Sequence, residues 1–411
     1  MSVRDRSQAL IPESDAPTTG VARRPRVVFM ERRLPHYRVP FFVELRRELE
    51  RRGYEFVLAV GDPTPEEALK RDGGTLPWAH HAPCRYFLGG LVCWQDVRHL
   101  LKDADFLVVS QENKLLFNWL ALLWPSRFPR LGLWGHGRDF MARGFVGQVM
   151  QRIKAWSSCR ADWWFAYTDL AARVVRDFGF PPDRITVVNN AGDTSDLQRD
   201  VASFRSAGRQ ALRESLGLAE GPVGLFIGSI YPEKRLDLVL AASRLVRERH
   251  PDFQLVIAGA GSGQAELAAQ VEGLPWVRLA GVVKGEQKAR WMAAADVLLL
   301  PAAVGLAIVD GFAAGLPVIV SQGPEHGPEV AYLEDGVNGV LTSRSASAYA
   351  QGLAGVLQDP QRARLLSSAA LASAQRLSQQ AAVQRFSQGI DTWHRSRRSA
   401  PHAALVERIS A

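Results

Sequence analysis

The sequence predicts an α/β protein built from two Rossmann-like domains, and three observations carry that expectation. The chain has 411 residues, enough for two or three domains. Short β-branched apolar runs alternate with amphipathic helical stretches, the pattern of parallel sheets covered on both faces. The pattern then restarts after a charged helical stretch at 197–218, which reads as a linker plus entry helix with a hinge near 195–215.

RVVFM (26–30) is the first strand, and FFVELRRELERRG (41–53) has helical spacing and stops at Gly53. YEFVLAVGD (54–62) and DFLVVS (105–110) are strands, the second followed by a helix through Asn118–Trp124. RLGLWGHG (130–137) is a strand ending in a glycine-rich loop. DWWFAYT (162–168) is a buried strand, LAARVVRDFGF (170–180) a helix closed by Gly179, and RITVVNNAGD (184–193) a strand entering a polar loop. In the second half VGLFIGS, FQLVIAGAGS, VRLAG, DVLLLP and PVIVS alternate with helices. The expected organisation is a tail (1–24), a first domain (25–200), a second (201–380), a helix (381–395) returning toward the first domain, and a second tail (396–411).

Hydrophobic residues make up 47% and charged residues 22%, which excludes global disorder. Three cysteines without a CxxC pair cannot form a disulfide framework or a structural zinc site, and they suit a reducing, cytoplasmic compartment. The first 25 residues are polar, without the apolar core of a secretory signal. The net charge of +8 leans toward the first 200 residues and suits an anionic partner, such as phosphates or acidic lipid headgroups; the alternative is solvated arginines. The apolar stretch 297–320 is long enough to span a membrane. Pro301, Pro317 and Asp310 divide it instead into strand, loop, short helix and strand. LLFNWLALLW (115–124) is too short to span. No metal-ligand spacing, GxSxG or Walker A loop is found, and no nucleic-acid partner is expected.

In open parallel sheets ligands bind beyond the carboxyl ends of the strands, and this rule selects the candidate residues. GSIYPEK (228–234) places Lys234 beyond such an end, where its ammonium suits a phosphate; the alternative is a surface lysine. In PAAVGLAIVDGFAAGLP (301–317), Gly305 permits close backbone approach, and the amides of Leu306 and Ala307 open a helix toward a diphosphate. Asp310, among apolar neighbours, suits a ribose diol or a salt bridge. GAGSG (259–263) resembles a dinucleotide fingerprint but lacks the acid at the end of the next strand. Asp103-Ala104-Asp105 precedes a strand and reads as a turn. ERRLPHYR (31–38) brings Arg32, Arg33, His36 and Arg38 to a first-domain strand end, suited to an anionic acceptor group or to a solvated loop. His136 sits between glycines after a strand, facing the interdomain cleft or packed structurally. Asn190 and Asp193 follow the last strand of the domain and otherwise form a turn.

GSIYPEKRLDLVLAA, LVIAGAGS, DVLLLPAAVGLAIVDGFAAGLPVIVS and HGPEVAYLEDGVNGVL (326–341) together resemble retaining glycosyltransferases of family 4, which have the GT-B fold. VVNNAGDT (187–194) is similar to the motif closing the family's first domain. YRVPFFVELRRELERRG and LGLWGHGRD resemble a bacterial subgroup associated with surface polysaccharide assembly. The resemblance spans roughly residues 26–395. It implies two Rossmann-like domains facing each other across a deep cleft. It also implies transfer of a hexose-type sugar from a nucleotide diphosphate sugar, with retention and without a metal, a cofactor or a dedicated protein base. Gly228, Ser229 and Lys234 match the donor loop, Lys234 matching the lysine on the diphosphate. Gly305, Leu306 and Ala307 match the phosphate cradle, Asp310 the ribose ligand, and His136 the cleft histidine facing the donor sugar. The implied catalytic set is His136, Lys234 and Asp310, with Arg33, His36, Arg38 and Asn190 on the acceptor side. The implied acceptor is a glycan or lipid-linked glycan of polysaccharide or lipopolysaccharide assembly. A place on the inner face of the cytoplasmic membrane goes with it. Eight of the eleven tryptophans precede residue 165, which suits such an acceptor or, equally, a buried core. Three residues depart from the pattern: Ala302 stands where the family has its first glutamate, Ser229 where an arginine often accompanies the lysine, and ERRLPHYR replaces a glycine pair. Ala302 and Ser229 keep open a catalytically degenerate nucleotide-sugar binder, and the shared two-domain fold a sugar-nucleotide 2-epimerase, whose acid/base residues around the sugar are not seen in the sequence.

Overall fold

The computed structural model describes residues 23–69, 72–137 and 152–396, so most of both expected tails lies outside the described residues, as does Asp139 of the LGLWGHGRD motif. The strands, in chain order, are β1 (Arg26–Glu31), β2 (Glu55–Val60), β3 (His80–His81), β4 (Cys84–Phe87), β5 (Val92–Gln95), β6 (Phe106–Ser110), β7 (Arg130–Gly135), β8 (Trp163–Ala166) and β9 (Ile185–Val187) in the first half. β10 (Val223–Ile227), β11 (Gln254–Ala258), β12 (Val277–Gly281), β13 (Val297–Leu299), β14 (Val318–Ser321) and β15 (Gly339–Thr342) follow. They form one seven-stranded sheet, β3-β2-β1-β6-β7-β8-β9, and one six-stranded sheet, β12-β11-β10-β13-β14-β15. Every pairing in both sheets is parallel. β4 and β5 make a separate antiparallel hairpin. In each sheet the chain winds outward to one edge, then crosses back to the other side of the first strand. The reversals fall between β1 and β6 and between β10 and β13, where an open sheet leaves a crevice for ligands.

Strands covered on both faces read as continuous apolar runs, and β6, β10, β13 and β14 are buried at every position. One face of the first sheet carries an aromatic core of Phe29, Phe42, Phe106, Trp134 and Phe165. The C-terminal helix Gln379–Arg395 closes it: Phe386 stacks on Phe165 with ring centres 4.1 Å apart, and Trp393 lies 4.6 Å from Phe106. Polar ties hold the same helix, since the Tyr54 hydroxyl donates to Asp391 at 2.9 Å and Arg52 pairs with Asp391.

The segment expected to hinge the domains, 195–215, is a helix packed on the second domain. Its Arg213 donates to the carbonyl of Ala294 at 2.9 Å and Arg205 to that of Ala314 at 2.8 Å, closing the C-terminal ends of two helices. Arg213 also pairs with Asp296 at 2.7 Å. The chain therefore crosses between domains at residues 188–194 and again near 377–379. The stretch 297–320 divides into strand, loop, seven-residue helix and strand. Among the described residues no helix is long and apolar enough to cross a membrane.

Candidate active site

The donor-side loops sit at the β10/β13 switch point. Beyond β10 the chain runs through Gly228 and the exposed Ser229 to the 3-10 turn Pro232–Lys234. This loop leans on the one after β11. Gly228 N–H donates to Ala258 O (3.0 Å) and Ile230 N–H to Ala260 O (2.9 Å), and Gly263 N–H donates back to Ile230 O (3.0 Å). A Cβ on Gly259 would lie 1.8 Å from Gly228 O, and one on Gly261 2.1 Å from Ile230 O. Gly259 and Gly261 are thus required by backbone-to-backbone packing against the Lys234 loop. That loop delivers Lys234 Nζ to within 2.5 Å of the Ala303 carbonyl, so the lysine and the glycine-opened loop meet. Burial lowers the Lys234 ammonium below the ordinary lysine range, and the Glu329 charge opposes that shift.

The loop 301–305 is fixed at four points. Pro301 O accepts from the Ser321 hydroxyl (2.6 Å), Ala303 O from Lys234, and Val304 O from Gly327 N–H (3.1 Å), while Val304 N–H donates to His326 Nδ1 (3.4 Å). His326 Nε2 lies 2.7 Å from Ser321 O, so the proton sits on Nε2 and leaves Nδ1 as acceptor. Burial lowers its pKa against the opposing pull of the Ser321 carbonyl, which keeps the ring neutral and the loop held. Ala303 has φ +47°, a left-handed backbone uncommon for a residue with a Cβ. The helix Ala307–Ala313 follows, and its first turn bonds begin at Ile308 N–H to Gly305 O, leaving the Leu306 and Ala307 amides ahead of the ladder. Asp310 pairs with Lys288 at 3.0 Å, and both side chains keep about a quarter of their surface exposed. Ala302 is buried, 4% exposed.

At the β1/β6 switch point the first domain holds a cavity of about 370 Å³ lined by Arg33, Arg38, Gln111, Glu112, His136 and Tyr167, among others. His136 packs edge-on against Tyr167, ring centres 4.3 Å apart. His36 is exposed and holds the Asp72 carbonyl at 3.2 Å, outside this lining. The arginines expected to take an anion are already engaged. Arg33 pairs with Asp72 (2.5 Å), and Arg38 pairs with Glu31 (3.2 Å), donates to the Tyr167 hydroxyl (2.7 Å) and covers Trp134 at 4.2 Å.

Glu31, 5% exposed, ends β1 within this cavity. Burial pushes its carboxyl up from 4.5 to about 7 against the pull of Arg38, and the nearby Glu112 adds to the rise. The folded protein holds a proton there that the unfolded chain has lost. Stability supplied by that proton is present at low pH and falls by about 3 kcal/mol as the pH rises from 4.5 to about 7. Denaturant titrations of the wild type and Glu31→Gln across that window check this: the variant lacks that part of the slope, and equal slopes would remove Glu31 as its cause.

Asn190 reaches across the cleft. Its Nδ2 donates to Glu329 Oε1 at 2.7 Å, its N–H donates to the Tyr332 hydroxyl at 2.7 Å, and that hydroxyl donates in turn to Tyr167 O at 3.1 Å. Glu329 is 5% exposed, and burial raises its pKa. Glu31, His326, Glu329 and Tyr332 were not singled out from the sequence. The available signal was an acid and a histidine in HGPEVAY whose neighbours are mostly apolar, a context that requires partners. The pair Asp103 and Asp105 lies at the amino end of β6, where Asp105 accepts from Arg26 N–H at 2.7 Å, so it is a structural turn.

Two domains with parallel sheets, joined by a double crossing and bearing loops on facing strand ends, define the GT-B architecture. Solved structures agree. Anabaena Alr3699/HepE in complex with UDP superposes with TM-score 0.66 at 18% identity over 90% of this chain and all of that one. WaaG, a glycosyltransferase involved in lipopolysaccharide biosynthesis, gives 0.59 at 16% over 88% and 98%. A putative UDP-N-acetylglucosamine 2-epimerase from Listeria monocytogenes gives 0.58 at 14% over 92% and 99%, so the fold alone does not separate the two chemistries.

Residues 40–196 match the family model described as Glycosyltransferase Family 4, and residues 221–359 that described as Glycosyl transferases group 1. Together they take up well over half of the chain, which belongs to this glycosyltransferase family. Curated relatives include D-inositol 3-phosphate glycosyltransferase 2 of Catenulispora acidiphila, 34% identical over 49% of each chain. The D-inositol 3-phosphate glycosyltransferase of Thermobispora bispora is 31% identical over 55% of each. The chain spans about half the length of these relatives.

Proposed function

We propose that the protein is a retaining glycosyltransferase that moves a hexose-type sugar from a nucleotide diphosphate sugar to a glycan or lipid-linked glycan. The observation that carries this reading is the meeting of Lys234 with the 301–306 loop at the β10/β13 switch point, opposite the first-domain cavity. The barrier lies in breaking the bond between the anomeric carbon and the diphosphate, on which negative charge grows. The Lys234 ammonium and the Leu306 and Ala307 amides are donors fixed in advance toward that charge, so little reorganisation is needed as it develops. Asp310 keeps part of its surface exposed beside Lys288 and is assigned the ribose hydroxyls. His136 is assigned the donor sugar. Same-face attack, with the departing phosphate taking the acceptor proton, removes the need for a separate base.

The experiment is turnover with UDP-, GDP- and ADP-sugars, combined with thermal shift, since a ligand that binds only the folded state raises its stability. Binding with release of nucleoside diphosphate in the presence of acceptor supports transfer. Binding without turnover, even with membrane extract as acceptor, supports the second reading, a degenerate binder, which Ala302 favours. The relatives' names place a phosphorylated polyol among the acceptors to be tried. Other relatives of the fold act in lipopolysaccharide assembly, the setting expected of this chain.

A membrane-bound acceptor agrees with the hairpin β4–β5. Its tip exposes Phe87, Leu88 and Leu91, the two leucines at 75%, next to the exposed Arg85. Leu88 holds φ +51° there, a costly conformation for a leucine left in water. The protein is expected to sediment with anionic vesicles at low salt and to lose this on Leu88→Ser with Leu91→Ser. Absence of sedimentation by the wild type would count against membrane attachment.

A further inference from the structure

We infer that the first-domain cavity selects an acceptor whose receiving end is an uncharged sugar, and that it rejects a phosphorylated one; this rests on the transferase reading above. A phosphate site needs guanidinium or ammonium groups with hydrogen-bonding capacity to spare. Among the described residues, each arginine of this cavity already has an acid as partner, and Arg38 also donates to the Tyr167 hydroxyl. Arg32 grips Glu67 through both of its terminal nitrogens, each at 2.7 Å, and turns its Nε to Glu112 at 3.0 Å. Arg33 is held by Asp72 and Arg38 by Glu31. The nearby Lys114 is also spoken for, by Glu112 at 3.3 Å.

Among the described residues, the carboxylates of Glu67, Asp72 and Glu112 and the largely protonated Glu31 thus engage all three guanidiniums around this cavity. An arriving phosphate would have to displace an acid and then sit beside it, and such like-charge pairs cost several kcal/mol. Sugar hydroxyls meet no such barrier. They can donate to carboxylate lone pairs that the arginines leave open, and Gln111 adds an amide at the same wall. Tyr37, 41% exposed on the rim, offers an aromatic face to the apolar side of a pyranose. The pairing that neutralises the arginines therefore works as a filter, built by repulsion against the wrong acceptor as well as attraction to the right one.

The test uses the full chain saturated with UDP and titrated with methyl glycosides of neutral hexoses and with their 6-phosphates, binding being read by saturation-transfer NMR. The neutral glycosides are expected to bind, and each 6-phosphate about tenfold more weakly. Asp72→Asn releases Arg33 and is expected to reverse the preference. Glu112→Gln, which frees the Arg32 Nε, gives the same direction should the first variant fail to fold. Tighter binding of the phosphates by the wild type, no binding of any neutral glycoside, or an unchanged ratio in both folded variants overturns the inference. UDP affinity is followed in the same samples. Its absence would sink the donor site alone, whereas intact UDP binding with a phosphate preference would sink the acceptor filter alone.

Discussion

Lys234→Ala is expected to lower turnover by about two to three orders of magnitude while the protein stays folded, because one well-placed donor to developing charge is worth roughly 3–4 kcal/mol in the transition state. The position explains the size. Lys234 comes from the loop after β10 and its ammonium meets the Ala303 carbonyl of the loop after β13, so one side chain joins both walls of the donor crevice. Lys234→Met keeps the apolar stem and separates loss of charge from loss of packing; it should be as inactive as the alanine variant. The pH profile adds a second reading. Burial lowers the lysine's pKa, so kcat/KM should fall on the alkaline side at a pH below the ordinary lysine range, as the ammonium loses its proton. A bound diphosphate favours the charged form, so the corresponding limb of kcat should lie higher. Near-normal turnover in folded Lys234→Ala would remove this residue from the mechanism.

Phe386→Ala is expected to destabilise the protein by about 3–5 kcal/mol, the usual cost of deleting a fully buried phenyl ring. Its ring is fully buried, stacked on Phe165 and lying 5.7 Å from Phe29 and 5.8 Å from Trp134. The residue sits near the end of the chain, yet it completes the core of the first domain, so loss of the C-terminal helix unseats the opposite half of the sequence. Trp134 also lines the acceptor cavity beneath Arg38, and the variant should bind acceptor poorly before it unfolds. Denaturant unfolding followed by tryptophan fluorescence measures the loss. A change under about 1 kcal/mol would mean that the helix adds little to that core.

Strands buried on both faces were legible because parallel sheets leave a continuous apolar run, as in FLVVS of β6 and VGLFI of β10. The hairpin β4–β5 was missed because CRYF alternates weakly and its turn is Leu-Gly-Gly-Leu, apolar at both flanks. β15 begins at a glycine of a turn-rich stretch, which hides a four-residue strand. The 195–215 stretch reads as a linker because charge marks it as solvated, whereas three of its arginines are spent on helix-end carbonyls, a use invisible without the partner helices. On the donor side the order of strand, loop and helix points Lys234 and the 301–305 loop to the same sheet end, and the lysine meets that loop at the Ala303 carbonyl. The acceptor side resisted the same logic, since Arg32 and Arg33 are neutralised by Glu67, Asp72 and Glu112, acids 35 to 80 residues away along the chain. Local sequence counts their charges but cannot pair them.

A crystal structure of the protein with UDP-glucose tests the donor site most directly. The diphosphate should lie against Lys234 Nζ and the Leu306 and Ala307 amides, with the ribose hydroxyls facing Asp310 and the sugar turned toward His136. A diphosphate seated away from both Lys234 and the 301–307 loop, for instance on Gly259–Gly263, would contradict it.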